Sequence, residues 1–254
     1  MVILLIVLPF YYDWRDMMKV LLVIPAYNEE ESILKTYEAI SIFNSNNMTN
    51  YDVIVINDGS RDKTEDILVK NNIPHITLIH NLGIGGAVQT GYKYALENDY
   101  DIAIQFDGDG QHDISCVGDL IKPLYDGTAN MTIGSRFIKG SKSEFKSTKA
   151  RQMGIKIISF FINFFTGKKI YDVTSGFRAV DKSLIGRFSI DYPLEYPEPI
   201  STTKILKDGF KIVEVPVKMN ERTGGTSSIH SWKNIYYMIN VLLSIILIGS
   251  RRSK

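Results

Sequence analysis

The chain has 254 residues, of which 44% are hydrophobic and 22% charged, so it is long enough for one large α/β domain or two small ones. Its formal net charge of +1 provides no overall attraction for nucleic acid, and we expect no nucleic-acid partner. The single cysteine, Cys116, excludes an internal disulfide and a cysteine-based zinc cluster, and it fits a reducing compartment.

Residues 1–17 read as an apolar extension. The run from Val2 to Leu8 is too short to span a bilayer, and it lacks the basic start and the cleavage site of a signal peptide. It fits either a short membrane-surface anchor or an extension that precedes a folded domain beginning near Met18. We favour the second interpretation.

Five apolar runs of strand length alternate with helix-start signals in the first half of the chain. This alternation predicts an α/β fold with a mostly parallel sheet, flanked by helices and joined by right-handed crossovers. The predicted strands cover residues 19–24, 52–56, 75–80, 102–106 and 129–134. One predicted helix begins at Asn28, which would act as its cap, and a second begins at Asp62. Two further helices are predicted over residues 83–98 and 114–125.

Polar motifs follow four of these strands, at residues 25–29, 57–60, 81–83 and 107–109. Ligands of parallel sheets bind beyond the carboxyl ends of the strands. The sequence therefore predicts a ligand site at this edge of the sheet.

The motif after the fourth strand carries oxygen donors at alternate positions, namely Asp107, Asp109 and Gln111. Side chains alternate along an extended segment, so these three can point the same way, while Gly108 and Gly110 leave room for a close approach. Such a donor set suits magnesium or manganese, which keep positions open for substrate phosphates. The alternative is an ordinary polar turn, in which aspartate and glycine are common.

Glycines at 83, 85 and 86 suggest a dinucleotide-binding loop, but the third glycine of that motif is replaced by Val88. No phosphate-loop lysine follows either, so both nucleotide motifs are rejected.

The second half of the chain is more basic than the first. Residues 139–151 form a basic stretch, and residues 155–165 predict a phenylalanine-rich helix that faces either the core or lipid. A helix is expected over 199–207 and a strand over 211–215. The apolar run at 235–249 is shorter than a membrane span, which favours an interfacial helix or one that packs on a small membrane protein or a second copy of the chain.

Six ordered segments carry a resemblance to a known family: VIPAYNEEESI, VINDGSRDKT, NLGIGGAVQTGY, QFDGDGQHD, GSRF and DVTSGFRAV. Together they resemble inverting family-two glycosyltransferases of the GT-A fold, and most closely the dolichol- and polyprenol-phosphate sugar transferases. The stretch EYPEP over 195–199 resembles the bacterial members of the family. The resemblance implies a GT-A domain over residues 18–228, and we expect residues 229–254 to form a membrane-associating or partner-binding helix. It also implies a nucleotide-sugar donor, with UDP as the expected nucleotide, and a divalent cation, Mg²⁺ or Mn²⁺.

The resemblance assigns roles to individual positions. It implies that three groups of residues hold the donor. The nucleoside segment is Pro25, Ala26, Tyr27 and Glu29, and the aspartate that reads the base is Asp58. The metal motif is Asp107, Asp109 and Gln111. It implies that two arginines hold phosphate and that a further element lies beside the acceptor: Arg136 and Arg151, then Ser175 and Phe177.

Arg222 matches the arginine of a late loop that closes over the diphosphate in this family. Ser228 stands where the family pattern has a lysine, so one cation of that clamp is missing here.

These features predict an enzyme, a hexosyl- or N-acetylhexosaminyltransferase, that moves a sugar with inversion onto a polyprenyl phosphate. We expect it to act peripherally at the cytoplasmic membrane face, in cell-wall or polysaccharide synthesis. A phosphate monoester is mostly dianionic at neutral pH and needs no general base. A hydroxyl of a growing cell-surface glycan would need one, and Glu198 and Asp172 are the candidates. A non-catalytic nucleotide-sugar-binding scaffold is the third interpretation.

Overall fold

A computed structural model describes residues 18–143, 149–219 and 231–251 of the chain. The predictions made for residues 1–17, Arg222 and Ser228 fall outside the described residues.

Most strands belong to one seven-stranded sheet, and two short strands pair separately. The strands are β1 Val20–Ala26, β2 Tyr51–Asn57, β3 His75–Thr77, β4 Ile102–Gln105, β5 Met131–Ser135, β6 Lys142–Ser143, β7 Arg178–Asp181, β8 Ile212–Pro216 and β9 Lys218–Met219. The large sheet runs in the order β3-β2-β1-β4-β7-β5-β8, and β6 pairs with β9. The prediction of a mostly parallel sheet is confirmed.

Strand β7 departs from the predicted alternation. It runs antiparallel to both β4 and β5 and lies between them. It follows an irregular loop instead of a crossover helix, so no alternation of strand and helix marks it in the sequence. Its insertion brings the loop before Arg178 up against the end of β4.

Helices cover the sheet on both faces. They are α1 Ile33–Asn47, α2 Thr64–Lys70, α3 Gly83–Glu97, α4 Val117–Tyr125, α5 Lys149–Thr166, α6 Lys182–Ile190, α7 Pro197–Lys207 and α8 Ser231–Gly249. The expectation that Asn28 caps α1 is wrong, because α1 begins five residues later and Asn28 has a left-handed backbone with φ of 56°. The sequence analysis did not predict α6.

Close packing explains Gly85, one of the glycines that resembled a dinucleotide motif, and Gly91 in the same helix. A Cβ built on Gly91 of α3 would lie 2.1 Å from Cγ1 of Val23, and one on Gly85 would lie 2.3 Å from the carbonyl oxygen of Pro193. These glycines therefore allow α3 to lie tightly against β1 on one side and against the segment before α7 on the other.

The phenylalanine-rich helix α5 and the terminal helix α8 pack against each other. Ile158 of α5 and Val241 of α8 join the same buried core cluster, so α8 packs within its own chain. The outward faces of both helices carry exposed apolar side chains: Met153, Ile157, Phe160 and Phe164 on α5, and Tyr236, Ile239, Leu243, Ile246 and Leu247 on α8. Within the described ranges, every helix is too short or too polar to cross a bilayer.

Candidate active site

The predicted motifs come together at the carboxyl edge of the sheet. Strands β2, β1 and β4 are adjacent and parallel, so the segments that follow them share one edge. Those segments carry Tyr27, Asp58 and Asp107. The four coincident motifs therefore line one region, as the sequence predicts.

The loops after β1 and β2 hold each other in place. The backbone N–H of Asn28 donates to Oγ of Ser60 at 3.0 Å, and the N–H of Arg61 donates to Oδ1 of Asn28 at 2.8 Å. The N–H of Glu29 donates to Oγ1 of Thr64 at 2.9 Å. These bonds explain the left-handed backbone of Asn28 and fix the loop that leaves β1.

The residues assigned to the nucleoside differ in how far their side chains are exposed to solvent. Pro25 and Ala26 are the buried last residues of β1, so their contribution is the shape of the backbone. The ring of Tyr27 is 44% exposed and is available to stack on a base. The carboxylate of Glu29 accepts a hydrogen bond from Oγ of Ser32 at 2.7 Å and is partly exposed.

Asp58 lies beneath this loop and is almost fully buried. Its N–H donates to the carbonyl of Ala26 at 2.8 Å, and its Oδ1 accepts from the N–H of Leu82 at 2.7 Å, just before α3. Burial raises the pKa of the Asp58 carboxyl, while the N–H groups of Leu82 and Gly83 act in the opposite direction. Asp58 therefore anchors the start of α3 at the edge of the site.

Asp107 is half-buried beside a buried histidine that the sequence analysis did not select. Nε2 of His112 lies 3.0 Å from Oδ2 of Asp107, and the imidazole stacks on Phe177 with ring centres 4.6 Å apart. Burial alone would raise the pKa of Asp107, but His112, the amide of Gln105 and Arg136 lower it overall. The carboxylate is therefore negatively charged at neutral pH. The position of His112, one residue after the metal motif, was the available signal.

Asp109 and Gln111 continue the motif. Asp109 is 7% exposed, and its Oδ1 accepts from the N–H of Gln111 at 3.0 Å. Between them, Gly110 has a φ of +76°, a conformation that favours glycine.

The residues of this motif fit a hard divalent cation. Within the described part of the chain, no group of three or more His, Cys, Asp or Glu side chains forms a ready-made metal site. Two carboxylates and one amide oxygen are nevertheless the donor set with which Mg²⁺ or Mn²⁺ binds when substrate phosphates and water complete the coordination. The ionised state of Asp107 agrees with this fit.

Arg136 is held by a two-pronged ion pair. Its Nε donates to Oδ2 of Asp172 and its Nη2 donates to Oδ1, both at 2.7 Å. Asp172 is fully buried and also accepts from the backbone N–H of Arg136. The suggestion that Asp172 acts as a general base is therefore wrong, because both its oxygens are committed to Arg136.

Arg151 lies in the first turn of α5 and is exposed. Desolvation, with the positive charge of Arg136 as the second cause, lowers the pKa of Arg151. The effect of Arg136 on this pKa indicates that Arg151 lies within electrostatic reach of Arg136.

Glu198, in the first turn of α7, faces the same region. Burial raises the pKa of its carboxyl, Arg178 lowers it, and the negative charge of Asp107 raises it further. The electrostatic effect of Asp107 connects Glu198 with the metal motif, although 91 positions separate them in the chain (198 − 107).

Arg178 is a second residue that the sequence analysis missed. It is 1% exposed, and its donors bind only neutral acceptors: Nε bonds the carbonyl of Ser175 at 2.7 Å, Nη2 that of Val173 at 3.1 Å, and Nη1 that of Glu198 at 2.9 Å. Arg178 thus joins the loop before β7 to the start of α7.

Ser175 and Phe177 do not line the site. Both side chains are buried, and Oγ of Ser175 donates to the carbonyl of Gly134 at 2.7 Å. The expectation that these side chains lie beside the acceptor is corrected. They precede β7, which enters the sheet between β4 and β5, so they point into the core and support the site from beneath.

The sequence pattern described as Glycosyl transferase family 2 matches residues 21–188. The chain belongs to this family. The UDP-N-acetylglucosamine–dolichyl-phosphate N-acetylglucosaminyltransferase of Methanococcus voltae is 34% identical over 221 residues, which cover 78% of this chain and 84% of that protein. The undecaprenyl-phosphate mannosyltransferase of Micrococcus luteus is 30% identical over 221 residues, which cover 83% of this chain and 87% of that protein.

The fold agrees with this membership. Glucosyl-3-phosphoglycerate synthase from Mycobacterium tuberculosis, solved with Mn²⁺, UDP-glucose and phosphoglyceric acid, superposes with a TM-score of 0.68. The two chains are 17% identical, and the match covers 91% of this chain and 80% of the other. The protein is a glycosyltransferase with a GT-A fold, which sets aside the scaffold interpretation.

Two helices that approach the site lie outside the family pattern. The family pattern ends at residue 188, whereas Glu198 belongs to α7 and Tyr237 belongs to α8. Burial raises the pKa of Tyr237, Glu198 adds to the rise, and Arg151 and Arg178 oppose it. This family-two glycosyltransferase therefore has residues near its site that the family pattern does not describe.

Proposed function

We propose that this glycosyltransferase moves a sugar from a nucleotide diphosphate, with UDP as the expected nucleotide, to a polyprenyl phosphate. The observation that carries the proposal is the electrostatic coupling of Arg136 both to the carboxylate of Asp107 and to Arg151, which lies at the start of the apolar helix α5. Cationic groups suit the phosphates of both substrates, and an apolar helix suits a lipid-linked acceptor. The names of the two relatives support the same acceptor class.

The donor nucleotide would lie on the loops after β1 and β2. Tyr27 would stack on the base, Glu29 would accept from ribose hydroxyls, and Asp58 would accept an N–H from the base edge. Pro25 and Ala26 would shape the backbone beneath the nucleoside. The hydrogen bonds between the two loops support this role, because they pre-form the surface before the nucleotide arrives.

Asp107, Asp109 and Gln111 would hold the divalent cation. When bound, Mg²⁺ or Mn²⁺ stabilises negative charge on the departing nucleoside diphosphate. His112 keeps the carboxylate of Asp107 in position, and the bond between Asp109 and the N–H of Gln111 fixes the turn that presents both donors.

The acceptor phosphate would attack the anomeric carbon in line, and the sugar configuration would invert. A dianionic phosphate is already nucleophilic, so the residues around it bind and orient it. Arg136 suits this task because Asp172 holds its guanidinium rigidly, and Arg151 supplies a second positive charge. Arg222 is proposed to close over the diphosphate.

We further propose that the enzyme acts peripherally at the cytoplasmic membrane face, with residues 229–254 contributing to attachment. The exposed apolar stripes of α5 and α8 support this location. A small membrane protein or a second copy of the chain is an alternative partner for the same stripes.

The first test is calorimetry with manganese present, comparing UDP, GDP and dTDP on the parent and on Asp109→Ala. Tight binding of one nucleotide that the substitution abolishes would establish the donor and the carboxylate site together.

Transfer to undecaprenyl phosphate with a panel of nucleotide sugars then tests the acceptor. Transfer to a saccharide in place of the lipid phosphate would overturn the proposal.

A second candidate acceptor is a hydroxyl on a growing cell-surface glycan. It is favoured by Glu198, because burial raises the pKa of its carboxyl and a raised pKa makes the carboxylate a stronger base. Glu198→Gln distinguishes the two acceptors. Transfer to a hydroxyl would be abolished, whereas transfer to a phosphate dianion would persist.

A further inference from the structure

An open groove runs along one side of α5. Its volume is about 560 Å³, within the range of small-molecule sites. Three aromatic rings are among the residues that line it, namely Phe137, Tyr171 and Phe160 of α5. These three rings are 39%, 45% and 63% exposed, so they offer apolar surface to an occupant.

The groove begins beside the phosphate-binding arginines. Phe137 directly follows Arg136, whose guanidinium carbon lies 5.4 Å from the ring centre, and Gln152 directly follows Arg151. From Gln152 the lining continues along α5 to Asn163, a distance of about 16 Å at the helical rise. The groove therefore leads from the proposed phosphate site along α5, and its lining combines Ile155 and aromatic rings with polar side chains.

The charges around the groove favour an anionic amphiphile. Lys156 and Lys169 are among the residues that line it, and none of the lining residues is acidic. The sequence from 145 to 171 also contains no aspartate or glutamate. A lipid phosphate therefore finds cations and aromatic rings in this lining, and no carboxylate that would repel it.

We propose that this groove binds the isoprenoid chain of a polyprenyl phosphate whose phosphate lies at Arg136 and Arg151. The proposal rests on the proposed function and adds the subsite that recognises the chain. It predicts that the protein itself, without a bilayer, distinguishes an isoprenoid phosphate from a short alkyl phosphate.

The experiment compares geranyl phosphate with butyl phosphate as acceptors in detergent-free buffer, using the nucleotide sugar that supports turnover. We expect the parent to show a KM for geranyl phosphate at least thirtyfold lower, because each buried methylene contributes to binding. Phe160→Ala should raise the KM for geranyl phosphate about five- to tenfold and leave the KM for butyl phosphate and for the donor unchanged.

Phe164→Ala is the matched control, because Phe164 is 71% exposed on the same helix but does not line the groove. Its KM for geranyl phosphate in solution should equal that of the parent. Equal KM values for the two acceptors, or equal effects of the two substitutions, would overturn the groove proposal alone. Transfer to a saccharide hydroxyl and to neither phosphate would overturn the proposed function and the groove with it.

Discussion

Gly176 shows how closely the backbone approaches the carboxylate of the metal motif. A Cβ at this position would lie 3.0 Å from Oδ2 of Asp107 and 2.9 Å from Nε2 of Gln105. Both distances are too short for an undisturbed side chain, so any larger residue must displace one of these groups.

We therefore expect Gly176→Ala to lower kcat/KM about tenfold, because the side chains of Gln105 and Asp107 must shift by a few tenths of an ångström at the metal motif. Steady-state kinetics with the parent donor and acceptor measure it. Gly186→Ala in α6 is the control, since a Cβ there meets nothing within 4 Å. Comparable losses in the two variants would show that the contact with Asp107 is not the cause.

Asp62 connects the loops that carry the nucleoside residues. Its Oδ1 accepts from the N–H of Thr64 at 3.0 Å, at the start of α2, and its Oδ2 accepts from the N–H of Glu30 at 3.1 Å. Burial alone would raise the pKa of Asp62, but these bonds and the hydroxyl of Thr64 lower it overall.

A lowered carboxyl pKa contributes stability that is fully present above the unfolded value of about 3.8 and is lost as pH falls through the folded value. Asp62→Asn should therefore reduce the free energy of unfolding by about 1 kcal/mol at pH 7 and at pH 5. The difference between parent and variant should shrink at pH 3. Urea unfolding at the three pH values measures it, and a constant difference across them would contradict the assignment.

Residue-level chemistry was predictable where it follows a strand and less so where it depends on tertiary contacts. The positions of Asp58, Asp107 and Asp109 at one edge follow from the parallel pattern. The commitment of Asp172 to Arg136 does not, because the two are 36 positions apart and meet only through the loop before β7.

At the scale of elements, β7 and the helix α6 that follows it were not predicted, because the signal of β7 in the sequence is weak and its place in the sheet depends on tertiary contacts. An antiparallel strand of four residues leaves little periodicity to detect, and its first residue is a buried arginine, which the sequence alone presents as a surface side chain. The burial of Arg178 depends on carbonyls from two separate segments. The burial of Ser175 and Phe177 is a consequence of the same insertion.

Helix α8, like α7, approaches the site from beyond the family pattern. Its Tyr237 packs edge-on against Tyr196, with ring centres 4.7 Å apart, and its hydroxyl lies within the electrostatic influence of Glu198 and Arg151. This arrangement connects the terminal helix with the proposed acceptor phosphate.

We expect Tyr237→Phe to raise the acceptor KM about three- to tenfold, since one hydroxyl near charged groups contributes about 1 kcal/mol. The donor KM should stay constant, because the nucleoside loops lie on the other side of the metal motif. Tyr236→Phe provides the control, as Tyr236 is 62% exposed on the outward face. An equal rise in both variants, or a change in donor KM, would contradict a role at the acceptor.

At the scale of the whole molecule, charge and exposed apolar surface are distributed unevenly. The net charge is only +1, yet residues 145–171 and 222–254 contain no aspartate or glutamate. These segments include α5 and α8, whose outward stripes are apolar. A surface of this kind favours binding to anionic bilayers, because the anionic lipid headgroups attract its lysine and arginine side chains and its apolar stripes enter the bilayer interface.

The protein should therefore co-sediment with phosphatidylglycerol vesicles and bind phosphatidylcholine vesicles at least tenfold more weakly. Salt at 0.5 M should reduce the binding to phosphatidylglycerol vesicles.

Leu247→Ser, which removes an apolar side chain that is 66% exposed on α8, should weaken binding to phosphatidylglycerol vesicles about fivefold. Ile42→Ser is the matched control, because Ile42 is 61% exposed on α1, away from the stripes. Equal binding to both kinds of vesicle would remove the electrostatic part of the argument. An equal effect of the two substitutions would show that the stripe of α8 is not the surface that meets the membrane.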